Sequence, residues 1–438
     1  MSLYSDLILK TLLLFKKNNK LKILKELNNN LKLDYDNMKN LQFKQIVNVL
    51  KDAYENIPFY KYWFDLHNVN INEINNWVTF EEKIPILTKK DIITHIDKFE
   101  HKTIKNFGTR TTGGSTGTPL KYNFSLKDKI YAEAIYLRGL SFGGYQLGNK
   151  IVYFGGGSLI STQKKKWSTK LYEKIFGLFV FSSYGVTDED LKNILLTIQS
   201  NHIKFIRGYV SSVFLLADYA IKHNIQIQLK SAFVTSEMLF ENQRKRIQLA
   251  FNCDVYDNYS LYDGGVSAYE MKNIGRVIDM ERAYMEIDKS KDTEGRILAT
   301  QFYNSVFPFI RYDTGDIGEI SLEYTNSYPY RPILSKLYGR QTEYLLLNNK
   351  KIGSPVLTIL MGRTKAEQYK IVQKNEETVE LYIKKSESWT EIDEKNIIES
   401  FFDNCGKFNL KIIYVDVFVN ENKHKIITRE WNPESNSN

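Results

Sequence analysis

Three short apolar runs, with helical patterns after the second and third, constrain this chain more than any other feature. The runs are Ile151–Phe154 (IVYF), Lys204–Tyr209 (KFIRGY) and Ser231–Ser236 (SAFVTS). The helical patterns cover Val213–His223 and Glu241–Phe251. Near-continuous apolar runs of this length read as strands buried on both faces, which helices must cover. Strands alternating with helices predict parallel α/β layers.

Around that centre the pattern changes. Residues 1–105 read as mainly helical, with an Asn-rich joint at Asn28–Asn30. From about residue 276 the chain turns β-rich, with turn signals in GRILATQFY and DIGEISLEY. The last hundred residues hold short strands (Thr378–Lys384 and Leu410–Val419) around one helix (Glu391–Asp403), a small α+β unit. A length of 438 residues suits one large domain and one small one. The expected division is 1–339, with 1–105 as a helical lead-in, and 340–438.

Composition excludes several classes. Two cysteines, Cys253 and Cys405, form neither a disulfide framework nor a metal-type spacing, and fit a reducing compartment. No run of eighteen apolar residues occurs, and the start MSLYSDLILKTLLLFKK lacks the marks of a signal peptide. A cytoplasmic location is the expectation. Tyr4, Leu7, Ile8, Leu12, Leu14 and Phe15 follow helical spacing beside Lys10, Lys16 and Lys17. Such a helix ordinarily packs on its own domain; the alternative is weak contact with the inner face of an anionic membrane. The net charge of +9 is read as compositional bias or general solubility, the alternative being an anionic partner such as nucleotide, CoA or a membrane surface; no nucleic-acid partner is expected. Patterns for zinc hydrolysis, His-dependent acyl transfer and a Gly-x-Ser-x-Gly nucleophile are missing.

Four segments carry chemistry. TTGGSTGTP (Thr111–Pro119) packs three glycines and five hydroxyls into nine residues, enough to line a polyphosphate with backbone N–H groups. It is not a Walker loop, because no Gly-Lys-Ser/Thr follows. In FPFIRYDTGDIGEI (Phe307–Ile320) a turn at Thr314-Gly315 is expected to place the Asp316 carboxylate at a strand end, where it could grip paired ribose hydroxyls. LYGRQTEY (Leu337–Tyr344) offers Arg340 beside Gly339, and NENKHKII (Asn420–Ile427) offers Lys423 in a polar turn. Each has an ordinary reading as well: a flexible turn, a hairpin, a surface ion pair, a solvated lysine. The Lys164-Lys165-Lys166 cluster reads as a solvated loop.

Taken in order, these segments resemble the adenylate-forming ligase superfamily, and within it the phenylacetate–CoA ligase family with its capsular-polysaccharide branch. The resemblance also runs through AYENIPFYKYWF, IPILTKKDI, GYVSSVFLLADY, FVTSEML, NYSLYDGGVSAYE and IDMERAYMEI, so it spans nearly the whole chain. It implies an α/β fold: a large N-terminal domain of layered sheets and a small mobile α+β C-terminal domain hinged near Thr342. It implies that Thr112, Gly113, Gly114, Ser115, Thr116, Gly117 and Thr118 cover the ATP phosphates, with Gly113 where the family usually has Ser. Tyr259–Asp263 corresponds to the family's Tyr-Gly-x-x-Glu. Tyr259 would hold adenine and Asp263 would hold Mg²⁺, with Ser260 and Asp263 replacing Gly and Glu. Asp316 and Arg340 would bind the ribose. Lys423 would be the catalytic lysine, preceded by Asn422 where the family has Gly, with Lys425 as its rival. Tyr131, Tyr209, Ser236 and Gly264 would line the acid pocket. The Cys/His sets that bind zinc in many relatives are missing here, so no zinc is expected.

The activity so implied is ATP-dependent activation of a small carboxylic acid as an acyl-adenylate, with pyrophosphate released and the acyl group passed to CoA or a similar thiol. One alternative is transfer to an amine or hydroxyl of a polysaccharide intermediate. Another is a non-catalytic nucleotide-binding scaffold, favoured by the departures at Ser260, Asp263 and Asn422.

Overall fold

The computed structural model describes residues 20–112, 120–155, 173, 176–183, 186–288, 294–340, 344–347, 350–353, 361, 365–387, 389–416 and 427–431. Its strands in chain order are β1 (Gly108–Thr111), β2 (Lys121–Phe124), β3 (Ile151–Gly155), β4 (Leu178–Ser182), β5 (Phe205–Tyr209), β6 (Ser231–Thr235), β7 (Asp254–Ser260), β8 (Ser267–Met271), β9 (Gly275–Ile278), β10 (Ala283–Asp288), β11 (Glu294–Gln301), β12 (Tyr312–Ser321), β13 (Ile333–Arg340), β14 (Tyr344–Leu347), β15 (Lys350–Gly353), β16 (Ala366–Gln373), β17 (Thr378–Lys385), β18 (Asn409–Tyr414) and β19 (Ile427–Arg429). The chain forms two compact units. One holds Met1–Lys150, Trp167–Leu178 and Tyr256–Lys336; the other holds Ile151–Lys166, Phe179–Val255 and Leu337–Asn438.

The first unit opens with helices Lys20–Asn30, Tyr35–Asn56, Pro58–Leu66, Trp77–Lys83 and Lys89–Thr94, as the lead-in pattern predicts. The Asn-rich stretch is the end of the first helix rather than a joint outside it. Asp34 caps the second helix by accepting from the Asn37 amide at 2.8 Å. Pro58 then starts the third helix one residue after the second ends, where its fixed φ costs nothing. Ile46, Leu50 and Ala53 line one helical face and meet Phe59, Tyr60, Phe64 and Phe80. Phe99 stacks on Phe59 at 4.3 Å and on Phe307 at 4.5 Å, so the helices are glued to the segment leading into β12.

The same unit carries the β1–β2 hairpin and the run of strands β10-β11-β12-β13-β9-β8-β7. The recorded pairings are antiparallel: β10 with β11, β11 with β12, β13 with β9, β9 with β8, and β8 with β7. One end is fixed by a buried ionic cluster. Arg138 donates to both oxygens of Glu281 at 2.7 and 2.9 Å, to Asp279, and to the Leu27 carbonyl at 3.0 Å. Arg331 lies 3.7 Å from Glu281 and donates to the carbonyls of Asn30 and Leu33. Burial alone would push the Glu281 carboxyl up, but Arg138 and Arg331 hold it below its ordinary value.

The second unit contains β6-β5-β3-β4, with β3, β5 and β6 parallel. Helices Asp188–Ser200, Val210–Lys222 and Glu241–Phe251 cover these strands, and Ile206, Val213, Leu216, Ala232 and Ile247 form the shared core. This is the parallel α/β arrangement that the apolar runs predict. Its remainder is the four-stranded sheet β18-β17-β16-β19 with helix Glu391–Cys405, the expected α+β unit. The fully buried Gln373 joins it to β14 by donating to the Leu346 carbonyl and accepting from the Leu346 amide.

Prediction: Arg138→Met leaves two buried carboxylates without their main partner. Chemical denaturation should show a loss of about 3–5 kcal/mol; a change within 0.5 kcal/mol, the range of neutral surface substitutions, would contradict the role given to the cluster.

Candidate functional site

In the first unit the sheet curls until two strands four places apart in the order, β7 and β12, meet across it. The contact is a hydrogen bond: the Tyr259 hydroxyl donates to Asp316 Oδ2 at 2.9 Å, with both residues buried. Burial pushes the Tyr259 phenol well up, and the Asp316 carboxylate beside it adds to the rise.

Asp316 does not stand at a strand end, as the Thr314-Gly315 turn suggested. β12 runs through it from Tyr312 to Ser321. Register against β11 breaks between Arg296 and Leu298, so that Thr314, Gly315 and Asp316 stand opposite Ile297 alone. Gly315, at φ +77°, takes up the excess as a bulge. Thr314 Oγ1 donates to the Ile297 carbonyl at 2.8 Å and accepts from the Asp316 amide at 3.2 Å, which fixes the carboxylate's direction. The turn signal was real, but the paired strand absorbs it.

β7 and β8 form a hairpin closed by the Leu261 amide donating to the Val266 carbonyl at 2.9 Å. Its tip carries Asp263, Gly264 and Gly265. Gly264 (φ +85°) and Gly265 (φ +75°) lay the tip flat on β11: a Cβ on Gly264 would fall 2.6 Å from Ala299 Cβ. The negative charge of Asp263 acts on Tyr259 from one side and on Tyr122 from another, helping burial raise both phenols. The buried Tyr122 hydroxyl has no hydrogen-bond partner among the described residues. The Asp263 carboxylate supplies hard oxygen of the kind Mg²⁺ takes, and its charge is felt at Tyr122. No group of three metal-ligating side chains occurs among the described residues.

The neck of the glycine-rich loop is a short ladder. The Thr112 amide donates to the Leu120 carbonyl at 2.9 Å, and Thr112 Oγ1 accepts from the Leu120 amide at 3.0 Å. Gly113, Gly114, Ser115, Thr116, Gly117 and Thr118 lie outside the described residues. Tyr131 stacks on Tyr303 with centroids 3.7 Å apart, half-buried at the margin of the aromatic core.

The second unit holds the other candidates. Tyr209 ends β5 and Ser236 follows β6 at φ +69°, at the carboxyl ends of adjacent parallel strands. Ligands of open parallel sheets bind at such ends. Glu237 closes that edge by accepting from the Ser211 amide at 2.6 Å, at the start of the helix after Tyr209. Arg340 is the last residue of β13. Thr342, Lys423 and Lys425 lie outside the described residues. The first unit thus gathers Thr112, Tyr131, Tyr259, Asp263, Gly264 and Asp316, and the second Tyr209, Ser236 and Arg340.

Sequence reasoning gave no role to Tyr122, Asp128 or Arg110, nor to Arg282 although it stands in the segment IDMERAYMEI. Thr314 was read only as part of a turn.

No protein-family model matches the chain. It is 25% identical over 326 residues to Protein CapK of Staphylococcus aureus, covering 74% of this chain and 72% of that protein. It is 22% identical over 331 residues to phenylacetate-coenzyme A ligase of Aromatoleum evansii, covering 72% and 73%. Among solved structures, 2-hydroxyisobutyryl-CoA ligase in its postadenylation state with R3-HIB-AMP superposes with a TM-score of 0.73. The identity is 16%, over 92% of this chain and 91% of that one. An open form of that ligase with 2-HIB-AMP and CoA gives a TM-score of 0.60 at 15% identity, over 89% and 91%. The fold is that of the adenylate-forming ligases, as the motifs implied, and the sequence relatives agree with the phenylacetate–CoA ligase branch.

Prediction: Gly264→Ala forces a side chain into Ala299 at a left-handed backbone position. Thermal or chemical unfolding should reveal a loss of about 1–3 kcal/mol; an unchanged midpoint would mean the tip is not seated as described.

Proposed function

We propose that this chain is an AMP-forming carboxylate ligase, which activates a small carboxylic acid with ATP and passes the acyl group to CoA or a similar thiol. The observation that supports it most is the convergence of Tyr259, Asp316 and Asp263 within a single curled sheet. The relatives add to it: one is named a CoA ligase, and a structural neighbour was solved with an acyl-AMP and CoA.

In this reading Asp316 accepts from the ribose hydroxyls, its second oxygen already fixed by Tyr259. Tyr259 stays protonated throughout the working range, because burial and Asp316 both oppose its ionisation. It is a donor and an aromatic wall for adenine, never a base. Residues 112–118 drape backbone N–H groups over the polyphosphate, and the Thr112–Leu120 ladder keeps the two ends of that loop together. Asp263 would hold Mg²⁺, which when bound draws charge from the phosphate oxygens. Arg340 would bind the ribose beside Asp316.

The acid's carboxylate oxygen attacks the α-phosphorus; the bond to the bridging oxygen breaks, and pyrophosphate leaves with that electron pair. Two anions meet in this step, so a cation at their junction lowers the barrier. Lys423 is the proposed cation, carried by the small domain as it turns and excluding water as it arrives. Tyr131, Tyr209, Ser236 and Gly264 would bound the acid. In the second half-reaction a thiolate attacks the acyl carbon and AMP leaves.

A second reading keeps the first step and changes the acceptor to an amine or hydroxyl of a surface-polysaccharide intermediate. The match to CapK, higher in identity than that to the ligase, favours keeping it. No helix among the described residues is long and apolar enough to cross a membrane. The proposed site of work is the cytoplasm, with the first 15 or so residues as a candidate for weak peripheral membrane contact.

Prediction: a panel of carboxylic acids should include at least one that drives ATP–pyrophosphate exchange, and adding CoA should then yield a thioester and AMP. Lys423→Ala should cut exchange about 100-fold or more while ATP still binds. Exchange at the wild-type rate in that variant would remove Lys423 from the mechanism; no exchange with any acid would favour the scaffold reading.

A further inference from the structure

We infer that Asp128, Arg282 and Arg110 form a positioning bridge that fixes the β7–β8 hairpin tip, with its Asp263, to the strand that enters the glycine-rich loop. The inference deepens the ligase reading and rests on it for what the two loops hold.

Asp128 lies in the first turn of helix Leu126–Ser141 and is fully buried. Both of its oxygens are saturated. Oδ1 accepts from Arg282 Nε at 2.9 Å and from Gln301 Nε2 at 2.6 Å; Oδ2 accepts from Arg282 Nη2 at 3.2 Å and from Arg110 Nη1 at 3.0 Å. Burial alone would push this carboxyl up, but the two guanidinium groups hold it below the ordinary carboxylate value, so it stays charged.

Arg282 spends its remaining nitrogen on the hairpin. Its Nη1 donates to the carbonyls of Leu261 at 3.2 Å and Gly265 at 3.3 Å, the two residues that bracket Tyr262, Asp263 and Gly264. A planar fork can hold a carboxylate and two carbonyls at once, which an ammonium could not match in direction. Arg110 reaches the same carboxylate from β1, two residues before Thr112. Its guanidinium carbon lies 4.0 Å from the Tyr262 ring centre and 4.0 Å from that of Phe124. This cover explains why Tyr262, 54% exposed at the hairpin tip, has a fixed neighbour on one face.

A pair alone would neutralise Asp128. Removing a second cation from water to the same carboxylate costs desolvation energy that a purely neutralising role does not require. What the second arginine adds is a rigid connection. One carboxylate now ties the base of the phosphate loop to the metal-side tip, through donors whose directions are fixed. All three act through the two loops they tie together, so they are positioning residues.

The test uses Arg110→Met in the full chain. It keeps an unbranched apolar side chain on β1, removes the guanidinium from over Tyr262 and Phe124, and leaves the Arg282–Asp128 pair intact, so the variant should fold; its melting curve checks this. Hydrogen exchange of the amides of 261–265, measured without ligand, should speed up about tenfold, since local opening there loses one of its ties. The KM for ATP and the Mg²⁺ concentration giving half-maximal pyrophosphate exchange should rise about tenfold, with kcat at saturation changed much less. Isothermal titration should show the same loss of Mg-ATP affinity without turnover. Arg110→Lys should recover part of each change. Arg246→Met removes an ion pair with Asp218 in the other unit and should move none of them. Wild-type amide exchange at 261–265 in a folded Arg110→Met protein would overturn the bridge, as would a loss confined to kcat. If the wild type bound no Mg-ATP, the ligase reading would fall, and ligand-free amide exchange would still decide the bridge.

Discussion

The hydrogen bond from Tyr259 to Asp316 is the contact on which the candidate site depends. It joins strands that are four places apart in the sheet, so it exists only because the sheet curls. The curl is written into β12. Three residues opposite one force a bulge, bulges bend and twist the strand that carries them, and the bend brings Asp316 round to β7. A buried carboxylate is costly unless it is bonded, and a buried phenol likewise. Each here relieves the other, while Thr314 secures the backbone between them. The aromatic core around Phe59, Phe99 and Phe307 holds the segment that feeds into β12, so the helical lead-in is part of the site's support.

From that contact the other parts of the first unit follow in space. The β7–β8 tip lies on β11 because Gly264 and Gly265 leave no side chain to hold it off. Asp263 therefore sits where its charge reaches both Tyr259 and Tyr122. The Thr112–Leu120 ladder closes the glycine-rich loop at its base, and Arg110 on the same strand shares Asp128 with Arg282. Two anionic elements, Asp316 and Asp263, are thus held apart at fixed points of one rigid sheet, which suits a ligand with hydroxyls at one end and phosphates at the other.

Much of this was legible in the chain. The apolar runs at Ile151, Phe205 and Ser231 became parallel strands because nothing but a two-sided burial suits them. Helix Glu241–Phe251 starts and stops where its pattern does. Asp316 was expected at a strand end and lies inside β12, because a Thr-Gly pair reads the same in a turn and in a bulge; only the partner strand decides. The joint role of Asp128, Arg282 and Gln301 could not be read from any motif, although Arg282 and Gln301 stand in quoted segments. Arg282 and Gln301 lie 154 and 173 positions from Asp128 in the chain, and each is an ordinary polar residue until the fold closes them into one buried knot. Charged residues read as surface by default, and that default fails where two cations share one anion.

A nucleotide is proposed to lie across β7 and β12 with its ribose against Asp316. A crystal structure of the protein grown with ATP or a non-reactive acyl-adenylate analogue tests this most directly. The account predicts ribose hydroxyls within hydrogen-bond distance of Asp316, with the Tyr259–Asp316 bond intact and the phosphates directed toward residues 112–118. A nucleotide bound on any other surface, with Asp316 still facing only Tyr259, would contradict it.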